Sequence, residues 1–166
     1  MDSQILIRLK EKFSDSVVET SEFRGELTII IRKEDIVSVC TFLRDDPELL
    51  FNYLSDLTAV DRLGRKPRFD VIYHLYSIKK SHRVRLKIKL DEDESLQSIT
   101  SVWNGANWFE REVFDMFGIK FDNHPDLRRI LMPDDWEGHP LRKDFPLRQE
   151  KVQFSHNKNR HPKIEE

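Results

Sequence analysis

Glu110, Glu112 and Asp115 are the first residues in this 166-residue chain whose types and spacing suit chemistry. Paired carboxylates serve acid–base catalysis when their environments hold one protonated and the other ionised. Glu112 and Asp115, three apart, share a face of any helix that carries them, and each can bond Arg128, Arg129 or a basic group on a partner. Arg111 and Asp115, four apart, have the spacing of an ordinary ion pair along a helix. A structural or interface role therefore outweighs catalysis. His124 and His139, with Asp115 or Asp126 as a third ligand, invite a metal reading with zinc or iron as the ion. Neither histidine has the paired spacing of a helical metal site, and a proline follows each. A hydrogen-bonded anchor in an extended His-Pro step fits better, and His74, on a strand, reads as a satisfied core or edge histidine. Arg128-Arg129 and Arg142-Lys143 are candidates for phosphate or nucleic acid. Asp122, Asp126, Asp134, Asp135, Glu137 and Asp144 surround them, however, and such mixed charge suits protein contact, where arginine and aromatic residues dominate binding.

Residues 108–147 carry all of these groups except His74. Their first third has helical periodicity, with Phe109, Val113 and Phe117 at i, i+4 and i+8. Asn104 can cap that helix, and Gly118 supplies a C-terminal stop. From Ile119 onward there is neither helical period nor alternation, and Pro125, Pro133, Pro140 and Pro146 punctuate the run. Long stretches of this kind in compact domains usually bind something or are disordered. Trp136, Phe121 and Phe145 argue against disorder. The expectation is an extended arm that docks on a neighbour.

Upstream, residues 5–13 read as a short amphipathic helix. Val17-Val18 and 27–32 read as strands, joined through a turn at Arg24-Gly25-Glu26. Residues 34–43 place Ile36, Val39, Cys40 and Leu43 on one helical stripe, and a further helical turn is expected over 47–53. A short strand is expected at 57–61. The clearest pair spans 68–78 and 82–90, where Val84, Leu86, Ile88 and Leu90 alternate with Arg83, Arg85, Lys87 and Lys89. That basic stripe reads as the solvated face of a strand. Asp91-Glu92-Asp93-Glu94 then leads into an expected helix over 95–102. The fold class is α+β: a mostly antiparallel sheet with packed helices, followed by an extended partner-docking C-terminal arm. The expected divisions are a core domain at 1–118, the docking arm at 119–147 and a polar tail at 148–166.

Formal net charge is −2 and mean hydropathy is −0.62, so no broad attraction to nucleic acid or anionic lipid is implied. No apolar run approaches the roughly 20 residues of a membrane span, and Met1-Asp2-Ser3-Gln4 reads as neither a secretory signal nor a transit peptide. The single cysteine, Cys40, cannot build a four-thiolate cluster or a disulfide framework. Glycine-rich dinucleotide turns, Walker loops, zinc-protease motifs and nucleophile elbows are missing.

The stretch 108–147 resembles the 30-kDa-type subunit of respiratory complex I, the proton-pumping NADH:quinone oxidoreductase. The resemblance rests on Glu110-Arg111-Glu112, Asp115, Met116-Phe117, His124, Arg128 and Ile130-Leu131 at the family's spacings. The run from Trp136 through Pro146 is similar to its second block. Thr58 to Asp61 and Arg68 to Ser77 are similar to its sheet region, so the likeness covers residues 49–147. It implies a cofactor-free assembly subunit that packs on the 49-kDa-type subunit, with NADH, FMN, iron–sulfur clusters and quinone held by other subunits. It also implies a peripheral place on the cytoplasmic side of an inner membrane, or the matrix side in an organelle. The implied interface set is Glu110, Arg111, Glu112, Asp115, His124, Arg128, Arg129, Trp136, His139, Arg142, Lys143 and Asp144, none catalytic. Alternatives are the equivalent subunit of a related hydrogenase or ferredoxin- or F420-linked complex, and, more remotely, a small metal-dependent hydrolase using the two histidines.

Overall fold

A computed structural model describes residues 2–146; Leu147 and the tail at 148–166 lie outside the described residues. Helix α1 (Asp2–Phe13) precedes the hairpin β1 (Val17–Phe23) and β2 (Glu26–Ile31). Its two-residue turn places Arg24 at φ 54° and Gly25 at φ 74°, the left-handed pair that matches the twist of adjoining strands. Helix α2 (Ile36–Asp45) buries Ile36, Val39, Cys40 and Leu43, the stripe expected from the sequence. Strands β3 (Tyr53–Asp61), β4 (Phe69–Ser77) and β5 (His82–Leu90) follow, then β6 (Ser95–Gln97), α3 (Ala106–Phe117) and β7 (Lys120–Asp122).

The main sheet has the order β1-β2-β5-β4-β3. All its pairs are antiparallel except β2 with β5. Alternation builds the core: Phe69, Val71, Tyr73 and Leu75 face the same way as Val84, Leu86, Ile88 and Leu90, and all are buried. They join α1, α2 and α3 in one apolar cluster. The opposite sheet face, with His74, Arg83, Arg85 and Lys87, stays partly wet.

Three local expectations are corrected. Residues 47–52 form a turn and a short connection, not helix: the Leu49 and Leu50 N–H groups both donate to the Asp46 carbonyl, and Leu50 has φ 49°. That turn buries Leu49 and Phe51 and starts β3 earlier than expected, at Tyr53. A bulge between Leu54 and Asp56 restores inward parity for Leu57. Residues 95–102 are not helical either. Ser95, Leu96 and Gln97 pair in parallel with Lys120, Phe121 and Asp122, because tertiary pairing and burial of Leu96 override a weak local preference. Asn104 does not cap α3; Gly105 occupies that position, without a side-chain bond.

Candidate functional site

The last turn of any helix leaves carbonyls without partners. In α3 the C-terminal segment supplies them. The N–H of Gly118 returns to the Phe114 carbonyl at 2.8 Å, and His139 Nδ1 donates to the Asp115 carbonyl at 2.9 Å. The Leu141 N–H reaches the Met116 carbonyl at 3.1 Å, and Arg142 Nε donates to the Phe117 carbonyl at 2.6 Å. Gly118 makes this closure possible. Its φ is 76°, and a Cβ there would lie 2.5 Å from His139 Nε2 and 2.8 Å from an Arg142 nitrogen.

The same segment first runs alongside α3. His124 Nε2 donates to the Asn107 carbonyl at 3.2 Å, while its Nδ1 accepts the Asp126 N–H; the ring is thus the neutral Nε2–H form. One turn on, Arg111 gives Nε and an Nη to the carbonyls of Arg128 and Arg129. Asp115, fully buried, anchors the next step. One carboxylate oxygen takes the Arg129 guanidinium at 2.6 Å, and the other takes the N–H groups of Ile130, Leu131 and Met132 at 3.0, 2.8 and 2.9 Å. Burial pushes the Asp115 pKa up, but the Met132 N–H, Arg129 and the other two N–H groups outweigh it and hold the acid below its ordinary range. Arg129 pairs with Asp115 in place of the i, i+4 partner expected from spacing, Arg111. It also donates to the Trp136 and Gly138 carbonyls.

Glu110 faces the other way, into the core. It accepts the Ser98 hydroxyl at 2.6 Å and the Ile99 N–H at 2.8 Å. Burial dominates here and pushes its pKa to about 7, against those two bonds. The buried Tyr73 hydroxyl and Cys40 thiol are also pushed up, by burial and then by the Glu110 charge. His124 Nε2 stands 3.9 Å from the Glu110 carboxylate.

A second anchor joins the end of the segment to the sheet. Arg68, 7% exposed, forks onto Asp61 at 3.1 and 2.9 Å and reaches Glu92 and Asp144 at 2.9 and 2.8 Å. The Lys143 N–H donates to Asp61 at 2.9 Å, and Arg142 bonds Glu92 at 2.8 Å. Arg68, chiefly through its hydrogen bonds, lowers the pKa of both Asp61 and Asp144. Trp136 stacks on Phe145, with ring centroids 6.3 Å apart.

Of the twelve residues singled out from sequence, Arg111, Asp115, Arg129, His139, Arg142 and Asp144 thus meet in one network that clasps α3. Glu110 and His124 lie beside it, and Trp136 and the Lys143 backbone contribute to the clasp. Glu112 and Arg128 point outward; among the described residues the Arg128 guanidinium pairs only with exposed Asp126, at 2.8 Å. The two histidines sit near opposite ends of α3, whose Asn107-to-Asp115 span is roughly 12 Å at 1.5 Å per residue. They cannot share a metal ion, and among the described residues no group of three or more His, Cys, Asp or Glu side chains could hold one. Sequence reasoning missed Arg68, Asp61 and Ser98. Asp61 had a readable signal: it follows Leu57 and Ala59 at inward parity, where a carboxylate needs a buried partner.

The result is a two-layer α+β domain whose third helix is clasped by its own C-terminal strap. A chain of the membrane-bound sulfane sulfur reductase, an archaeal respiratory membrane complex, shares this fold, with a TM-score of 0.73 at 22% identity over 87% of this chain and 85% of that one. Residues 29–151 match the family described as respiratory-chain NADH dehydrogenase, 30 Kd subunit. The corresponding NADH-quinone oxidoreductase subunit of Roseiflexus sp. (strain RS-1) is 54% identical over 96% of this chain and 92% of its own length. That of Geotalea uraniireducens (strain Rf4) is 54% identical over 88% of each. The chain belongs to the 30 kDa subunit family of respiratory-chain NADH dehydrogenase.

Proposed function

We propose that this chain is a cofactor-free structural subunit of the hydrophilic arm of an NADH:quinone oxidoreductase, packed on the 49-kDa-type subunit. NADH, FMN, iron–sulfur clusters and quinone belong to other subunits in this reading, and the chain contributes rigidity beside the electron path. The observation that carries it is the 54% identity to NADH-quinone oxidoreductase relatives across nearly the whole chain. The chemistry agrees, since Asp115, His124 and His139, which invited a catalytic or metal reading, spend their bonds on joining the strap to α3. No described helix is long and apolar enough to cross a membrane; attachment would come through neighbours, on the cytoplasmic or matrix side.

The fold alone does not set the electron donor, because a sulfane sulfur reductase chain shares it. Sequence identity favours NADH–quinone chemistry over that of the related hydrogenase-like complexes. The test is co-expression with the same organism's 49-kDa-type subunit, followed by pull-down and size-exclusion chromatography in high salt. A stoichiometric complex is expected. A folded monomer that ignores that subunit would overturn the reading.

A further inference from the structure

The strap consumes most of the chemistry of the 110–144 region, which isolates what it leaves facing outward. Trp108 is 62% exposed and Leu131 is 60% exposed. Glu112, one helical turn beyond Trp108 on the same face of α3, is exposed, and its carboxylate makes no hydrogen bond or ion pair to any described residue. Arg111 ties these groups together. Its guanidinium lies 5.3 Å from the Trp108 ring centroid and donates to the carbonyls of Arg128 and Arg129. The Leu131 backbone is pinned by Asp115, the next α3 residue along the strap. An indole, an aliphatic side chain, an unpaired carboxylate and the 71%-exposed Arg128 are therefore all presented outward along α3 and the strap segment bonded to it.

We propose that this patch is the chain's principal docking surface, and that its occupant is a neighbouring protein subunit of the assembly. The occupant would offer an apolar recess for the Trp108 indole beside a cationic side chain facing Glu112. The inference rests on the reading of the chain as a complex subunit and names the surface which that reading leaves open. Tryptophan and arginine are the residue types that carry most binding energy at interfaces. Here Arg111, held by two carbonyls, fixes the indole in advance, which lowers the entropy lost on docking. The open face of the sheet is the competing surface, with Phe23, Tyr53 and Tyr76 along one row. Most of its charges are already matched internally: Glu26 pairs with Arg85, Asp70 with Arg62 and Lys87, and Glu19 with Lys89, which leaves Asp56 beside His74. The Trp108 patch alone of the two joins an acid without a partner to an indole already held by an anchored guanidinium, and that combination selects it.

The experiment replaces the native chain in its own host with tagged versions and measures recovery in the assembled oxidoreductase, with oxidative footprinting of Trp108 before and after assembly. Trp108→Ala and Leu131→Asp should each lower recovery at least tenfold, Trp108→Phe should restore part of it, and Trp108 should be protected on assembly. Leu131→Asp leaves the Leu131 N–H bond to Asp115 in place, so its loss would not report misfolding; Phe23→Ala, on the open sheet face, should assemble normally. If the wild-type chain itself fails to join the oxidoreductase, the functional reading falls, and this surface with it. If the wild type joins while Trp108 stays unprotected and both patch variants assemble fully, only the surface is wrong. Loss with Phe23→Ala alone would move docking to the sheet.

Discussion

Asp115 shows how much one side chain can hold. A buried carboxylate costs several kcal/mol unless its lone pairs are met, and here Arg129 and three successive backbone N–H groups meet them. Asp115→Ala strands the guanidinium and three donors at once, and should cost about 3–5 kcal/mol in denaturant unfolding. A cost under 1 kcal/mol would mean the strap is held elsewhere. Glu110 behaves oppositely. Its folded pKa of about 7 lies above the ordinary 4.5, so the stability linked to its protonated form is complete below pH 4.5. It is lost as pH rises toward 7, an amount of order 3 kcal/mol at most. Glu110→Gln keeps an acceptor for the Ile99 N–H and gives Ser98 Oγ a donor. The variant should therefore gain melting temperature relative to wild type at pH 8, and the gap should close by pH 5. A gap that does not change with pH would refute burial as the cause.

At the scale of elements, the strap is a helix cap made from distant sequence. His139, Leu141 and Arg142 reach back more than twenty residues to satisfy carbonyls at the end of α3. Gly118→Ala tests this closure. The left-handed backbone alone costs roughly 1–2 kcal/mol for a residue with a Cβ, and the Cβ would also displace the His139 ring. The expected result is a lower melting temperature, with faster hydrogen exchange at the Leu141 N–H and little change at Val71 or Leu86 in the sheet. Uniformly faster exchange would show instead that strap and sheet open as one unit.

Across the whole molecule, Arg68 links the sheet, the acidic turn after β5 and the end of the strap through Asp61, Glu92 and Asp144. Because Arg68 and Asp61 are buried, salt should screen that junction far less than the exposed Arg128–Asp126 pair. Arg68→Met should therefore admit trypsin near Arg142 and Lys143, at low and high salt alike. Unchanged cleavage would show that the bonds to α3 alone retain the strap.

Much of this molecule was legible in one dimension. Period two in β4 and β5, the stripe on α2, the Arg24-Gly25 turn and the helix stop at Gly118 follow from side-chain direction and allowed dihedrals, which are local properties. The spacing of Glu110, Arg111, Asp115, His124 and Arg128 carried the family. The sequence could not say which arginine Asp115 would choose, since Arg111 at i+4 spacing and Arg129 across the strap are equally charged. It could not show that 95–97 would pair with 120–122, nor that Arg68 would collect three carboxylates. Those outcomes depend on which distant groups are desolvated together. Burial sets the cost of leaving a charge or a helix-end carbonyl unmatched, and burial is decided only when the whole chain closes.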